Sequence, residues 1–317
     1  MGDLDIPKRS FFKEGLKVER TRWFILKGRP ILSSLVVIVI FYFLGKYFFH
    51  HYHELSQHHW EIRYPFFVGS FIFLFGNYVL EAWIWKKLLE MFNISIPISK
   101  CFRIISLSQL GKYIPGKFWI YLGQFYLGGR EGIPKGVILL SNFFLLILLT
   151  IGGMTLFNIS YLLWPSVNKK LALGLWVLIA LALIIIHPGL FKRGVEIFRR
   201  WTGTSLRRSS YAKVLFLFFV VLLDWFVYLI GFYFFLQSFY PVTLRELIIY
   251  SGIFAISGLL GFYSLITPGG LGVREGFQAY LMSMFIPVSI AIFISIFSRI
   301  WMTLAEVGAA FVSLKIK

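Results

Sequence analysis

The stretch Lys100–Tyr126, KCFRIISLSQLGKYIPGKFWIYLGQFY, decides how this chain is folded. Near its middle, Ile114-Pro115-Gly116 interrupts a helical pattern, because Pro115 lacks a backbone donor and Gly116 permits a sharp turn. Whether the stretch crosses a membrane is read from the bases around it. Lys192, Arg193, Arg199, Arg200, Arg207, Arg208 and Lys213 fill one long loop further on, and such loops stay cytoplasmic. A crossing at Lys100–Tyr126 would put that loop outside. The stretch is therefore expected to be a re-entrant hairpin or broken helix, entered and left on the cytoplasmic side.

The membrane itself is read from composition. Of 317 residues, 58% are hydrophobic, 20% aromatic and only 15% charged, whereas a soluble domain is about 45–50% apolar and about 25% charged. The 36 Phe, 16 Tyr and 10 Trp suit a lipid-facing surface with interfacial aromatic belts. The net charge of +18 follows from where the bases sit and implies no nucleic-acid partner. Cys101 is the single cysteine, so an internal disulfide is excluded, and no Cys/His spacing suits a structural zinc. With almost all of the length in membrane segments, no soluble catalytic domain is expected.

Six apolar runs reach the roughly 18–20 residues that a spanning helix needs. They are Ile31–Phe49, Phe66–Trp85, Gly136–Ile159, Leu171–His187, Val214–Phe239 and Val288–Leu314. Residues 1–30 hold eight Lys/Arg and four acids, as an amphipathic cytoplasmic lead-in or a solvated basic tail. Residues 31–317 then form a single transmembrane domain. Bases also follow the second span (Lys86, Lys87, Lys100, Arg103), while the loop at His50–Tyr64 has one Arg. The alternation makes this a multi-pass protein of the cell (inner) membrane with both termini cytoplasmic.

A second broken segment runs from Leu247 to about Ile286, interrupted at Thr267-Pro268-Gly269-Gly270. Leu110-Gly111-Lys112-Tyr113 matches Leu260-Gly261-Phe262-Tyr263, Pro115-Gly116 matches Pro268-Gly269, and Arg130-Glu131-Gly132 matches Arg274-Glu275-Gly276. One acid precedes each segment, Glu81 and Asp224. These ordered matches indicate an internal repeat, with units at about 65–160 and 213–314. On the topology above the units start from opposite sides. The expected fold is all-α: six full spans plus two re-entrant or broken hairpins in an inverted repeat.

Charges inside apolar segments cost about 2.5–3.5 kcal/mol each on the insertion scale, so they face partners or water. Glu81, Asp224, Arg299 and Glu306 lie in spans, and Arg274 at the second hairpin's exit. They serve a site, or they pair structurally, as Glu81–Arg274 or Asp224–Arg130. Asn77, one turn before Glu81, is expected to hydrogen-bond it, Asp224 is expected to have no partner, and Glu306 to snorkel from its helix end. A half-helix restarting after each Gly/Pro break offers N–H groups to an anion, to which Lys112, Lys117, Arg130 and Arg274 add charge. The bland alternative is a kink for close packing. Five of the six histidines crowd residues 50–59 without a regular metal-ligand spacing, and suit a solvated interfacial loop.

Tyr113-Ile114-Pro115-Gly116-Lys117 with Trp119, and above all Thr267-Pro268-Gly269-Gly270-Leu271-Gly272-Val273-Arg274-Glu275, resemble the two signatures of the flippase-like family of the lysylphosphatidylglycerol synthase transmembrane region. The resemblance runs from about Phe66 to Leu314. In two-part members of that family a membrane half moves an aminoacylated lipid across the bilayer and a soluble half makes it. The resemblance implies the translocating half alone, and implicates Pro115, Gly116, Pro268, Gly269, Gly270, Arg274 and Glu275. Arg299 joins them from the burial argument.

The function expected is a lipid translocase, not an enzyme, that moves an anionic phospholipid or lipid-linked head group between leaflets. Arg130 and Arg274 would bind phosphate, and Glu81, Asp224, Glu131 and Glu275 would pair the arginines or carry a proton. No cofactor is implied, and no Gly-x-x-x-x-Gly-Lys-Ser/Thr loop for ATP is present. Partners are membrane lipids, a second copy, or a neighbouring lipid-modifying enzyme. The alternatives are a transferase using a polyprenyl-phosphate donor, with Glu54 or Glu61 as its base, and a scaffold subunit.

Overall fold

Apolar side chains on every face leave these segments one way to satisfy their backbone in lipid, the helix. The computed structural model describes residues 42, 46, 61–114, 118–185, 187, 211–264 and 267–316. The lead-in, the run Ile31–Phe49 apart from Tyr42 and Lys46, the histidine loop, the seven-base loop apart from Lys213, and Pro115-Gly116-Lys117 lie outside the described residues. Within them are nine α-helices and no strand: α1 Tyr64–Glu90, α2 Ile98–Gln109, α3 Trp119–Arg130, α4 Lys135–Tyr161, α5 Lys169–Ile185, α6 Tyr211–Phe239, α7 Leu244–Tyr263, α8 Val273–Met282 and α9 Val288–Leu314. Short 3-10 turns, Leu110–Tyr113 and Pro268–Gly270, stand at the two expected breaks.

Five helices are long and apolar enough to cross a membrane: α1, α4, α6, α7 and α9. Together with the family assignment below, they make this a multi-pass membrane protein. Four of the six expected spans are among them. A fifth, Leu171–His187, is the 17-residue α5, and the sixth lies outside the described residues. The addition is α7, whose 20 residues the sequence reading placed in the second hairpin.

The neighbours of α7 show where it ends. Arg245 at its start donates to the Leu163 carbonyl, Ser160 donates to the Ile249 carbonyl, and Tyr263 at its end meets Thr150. Thr150 is 15 residues, about 22 Å, from the start of α4, so α7 stops partway along its neighbour. After the turn, α8 runs back, and Phe285 beyond it packs on both Tyr250 and Trp164. The pair α7–α8 thus leaves and re-enters at the Trp164 end of the bundle. In the same way Lys100, near the start of α2, pairs with Glu131 just past the end of α3 at 2.5 Å, and Gly128 packs on Ile138 near the start of α4. The two helix pairs therefore fold back from opposite ends of the bundle.

The bundle is assembled on a long antiparallel pair, α1 with α6. The Arg63 N–H donates to the Ser238 carbonyl at one end, and Trp83 meets the Phe216 ring at the other. Three tryptophans find cross-helix acceptors for their indole N–H. Trp301 donates to Ser70, Trp85 to Ser141 and Trp225 to the Leu149 carbonyl. Gly152 and Gly153 let α4 pass close to α6 and α7, since a Cβ there would lie 2.8–2.9 Å from Trp225 and Leu259.

Packing partners match between the units: α2 lies on α9 as α7 lies on α4, and α1 on α9 as α6 on α4. Gly111 and Gly261 each admit the start of the restarting helix, Trp119–Ile120 after the first break and Arg274 after the second. Gln124 in α3 accepts from Asn142 of α4, and Gln278 in α8 accepts from Ser298 of α9. The Arg-Glu-Gly match does not survive. Arg130-Glu131 ends α3, whereas Arg274-Glu275 opens α8, so those identities hold different places in space.

The hairpin geometry predicts a labelling pattern. In a Cys101→Ala background (Cys101 is buried), Ser95→Cys and Gly129→Cys should react with an impermeant maleimide from one side of the membrane. Met284→Cys should react only from the other. Labelling of Ser95→Cys and Gly129→Cys from opposite sides would rule out a returning first hairpin.

Candidate functional site

The two breaks meet in the interior. A Cβ at Gly269 would lie 3.1 Å from the Lys112 carbonyl oxygen, and Gly269, Gly270 and Gly272 all have positive φ (57°, 70° and 81°). Only glycine adopts these conformations freely, and at Gly270 any side chain would also strike the backbone of Gly261. Around this contact stand four carboxylates, Glu81, Asp224, Glu275 and Glu306, and three bases, Lys112, Arg274 and Arg299.

On one side is a cavity of about 190 Å³ between α1, α6, α9 and the first break, with Glu81, Asp224, Lys112, Glu306, Gln109 and Tyr228 in its wall. Lys112 pairs with Glu306. Glu306 also accepts from the Tyr113 hydroxyl at 2.7 Å, and that oxygen lies 2.9 Å from Thr303. Glu306 does not snorkel: it is 5% exposed and ties α9 to the first break. The sequence pointed to Thr303 only by its place one turn before Glu306.

Asp224 has a partner after all. Asn77 Nδ2 donates to its Oδ1 at 2.7 Å and to its carbonyl at 3.2 Å, joining α1 to α6. Asn77 is thereby spent on Asp224 rather than on Glu81, because the antiparallel pairing brings Asp224 opposite it. Among the described residues Glu81 makes no hydrogen bond or ion pair, and its charged neighbours are Lys112 and Glu306.

On the other side lie the residues of the second break. Glu275 accepts from the Gly272 N–H at 2.6 Å and so caps α8 with its own carboxylate; that N–H is engaged within the chain. Arg299 donates to the Gly269 carbonyl at 3.2 Å, and its Nε lies 3.7 Å from Glu275. Arg274 is 7% exposed. Its guanidinium stacks 4.5 Å from the centre of the Phe254 ring and neighbours the Tyr228 hydroxyl. Among the described residues no carboxylate pairs with it, neither Glu81 nor any other. The Nε of Arg274, the Nε of Arg299, Oε1 of Glu275 and the hydroxyls of Ser257, Ser264 and Thr267 are buried without hydrogen-bond partners.

Other candidates lie elsewhere. Arg130 and Glu131 belong to the base of the first hairpin, Arg130 exposed and stacked on Tyr126, so Asp224–Arg130 pairing does not occur. Glu61 is exposed ahead of α1, about 30 Å along the chain's helical rise from Glu81, and Glu54 is outside the described residues.

The buried Lys112–Glu306 pair predicts an asymmetric mutational response. Glu306→Gln should destabilise the protein by about 3–5 kcal/mol, because it leaves Lys112 charged and unpaired. A lower melting temperature in detergent would register this, with most of the loss regained in Lys112→Met/Glu306→Gln. Single and double variants that melt alike would mean that the pair is not energetically coupled.

No curated protein and no solved structure matches the chain. The family description of the lysylphosphatidylglycerol synthase TM region, however, matches residues 30–307, a range that takes in both breaks, all seven charged groups around them, four of the five long helices and most of α9. With most of its length so matched, the chain belongs to the family of the lysylphosphatidylglycerol synthase TM region.

Proposed function

We propose that this protein translocates an anionic phospholipid, or a lipid-linked phosphate head group, between the leaflets of the cell membrane, with its second helix break as the head-group site. The observation that carries this reading is Arg274: a buried guanidinium, without a carboxylate partner among the described residues, beside a group of buried polar atoms that lack hydrogen bonds. Leaving such a charge uncompensated costs several kcal/mol, and a phosphate supplies the acceptors that its planar fork fits. The family's association with lipid modification supports the same ligand class.

In this reading the units form an inverted repeat, with both hairpins re-entrant and both chain termini cytoplasmic. The opposite entry of the hairpins and their matched packing support it. Gly269, Gly270 and Gly272 shape the second break, while Lys112 and Arg299 steer charge between the two breaks. Acyl tails stay in lipid while the head group passes the central cavity. Of the acids, Asp224 is a structural acceptor for Asn77, and Glu275 a helix cap. Glu81, without a hydrogen-bond partner among the described residues and next to the Lys112–Glu306 pair, is the proton carrier in this scheme.

Two outcomes follow for the purified protein in proteoliposomes. Arg274→Lys keeps the charge but loses the fork and should slow translocation of a fluorescent phosphatidylglycerol about tenfold or more. Full activity of Arg274→Ala at normal expression would exclude a phosphate-binding role. Glu81→Gln should fold normally and translocate at a rate independent of an imposed pH gradient; an unaltered response to the gradient would remove Glu81 from coupling.

A further inference from the structure

The base of the first hairpin holds a second basic cleft, about 280 Å³, walled by Lys100, Arg103 and Ile104 of α2 and by Leu127, Arg130 and Glu131 at the end of α3. Its volume approaches the lower end of the roughly 300–1,000 Å³ of small-ligand pockets. Arg103 is about 9 Å along α2 from Gln109 in the wall of the central cavity, and the two share no wall residue, so the cleft is distinct from that cavity. Three bases face one acid. Lys100 is held by Glu131 at 2.5 Å, and Arg130 rests on the Tyr126 ring. Arg103 makes no hydrogen bond or ion pair among the described residues, although its Nε is buried.

These features differ from a solvated basic patch. A buried guanidinium N–H without an acceptor is costly, and the one acid in the cleft wall among the described residues, Glu131, is already engaged by Lys100. An incoming anion would meet the Arg103 fork, Arg130 from the facing helix, and Lys100 once Glu131 is displaced. Donors converging from two helices suit an anion with several oxygens, as a phosphoryl group has. The remaining wall, Ile104 and Leu127, is apolar and fits the glycerol end of a lipid.

We propose that this cleft is a second phosphoryl-binding site, which takes the head group of an anionic lipid at the mouth of the first hairpin before it reaches the central cavity, with Glu131 as its internal competitor. The binding stands on the cleft alone; the loading role rests on the translocation reading above.

Calorimetric titration of the full chain in phosphatidylcholine nanodiscs tests it, with short-chain phosphatidylglycerol in one arm and inorganic phosphate in the other. The titrations use an Arg274→Gln background, so that the central site does not contribute. Adding Arg103→Gln should weaken phosphatidylglycerol binding about tenfold, as loss of a charge-assisted hydrogen bond does, and Glu131→Gln should tighten it. Weakening of phosphate binding alone, with the lipid arm unmoved, overturns the lipid as occupant. No change in either arm overturns the site. Should Arg103→Gln fail to fold, Glu131→Gln decides: tighter lipid binding upholds the cleft, and unchanged or weaker binding sinks it. Failure of the central-site reading is a separate outcome, seen when Arg274→Gln by itself leaves translocation at the wild-type rate.

Discussion

The contact between the Lys112 carbonyl and Gly269 brings two broken helices together where backbone groups have no water to bond. Each unpaired group there costs several kcal/mol, so a break at membrane depth persists only if protein surrounds it. The long helices do this. The first break lies against α9 as well as its own helices α2 and α3, and the second lies against α7 and the first break. Gly111 and Gly261 set how closely the restarting helices approach.

The same enclosure sets the electrostatics. Seven ionisable side chains gather around the breaks and are compensated unequally. Lys112 has Glu306, Glu306 has Tyr113 as well, Asp224 has Asn77, and Glu275 has the Gly272 N–H. Arg274 has an aromatic face and a phenol in place of an acid. A bundle built for stability alone would replace such charges with apolar side chains at little cost. Their retention around the one place where two helices are interrupted is the physical basis for proposing that a charged head group passes here.

The positions of both breaks were legible from Pro and Gly, which act locally through a missing donor and a permitted φ. So were the long spans, because the bilayer imposes a length on any uninterrupted apolar run. Pair identities were not. Helical spacing alone pairs Asn77 with Glu81, yet α6 brings Asp224 within 2.7 Å of it. The place of Glu306 near the end of its own helix suggests a peripheral residue, but the first break packs beside it and buries it. The Arg-Glu-Gly identity suggested equivalence between residues at opposite ends of their helices.

By itself the sequence determined that this is an all-helical membrane protein, interrupted at Ile114-Pro115-Gly116 and Thr267-Pro268-Gly269-Gly270, and that charges lie within its apolar segments. These follow from composition and from backbone restrictions, which are properties of consecutive residues. Only the tertiary structure decided that α7 stops partway along α4, that Lys112 meets Glu306 across 194 positions of chain, and that Arg274 and Arg130 belong to separate sites. Such facts depend on which helix faces which, and that is settled by the fit of whole surfaces, glycine against tryptophan and indole against serine, rather than by any pattern along the chain.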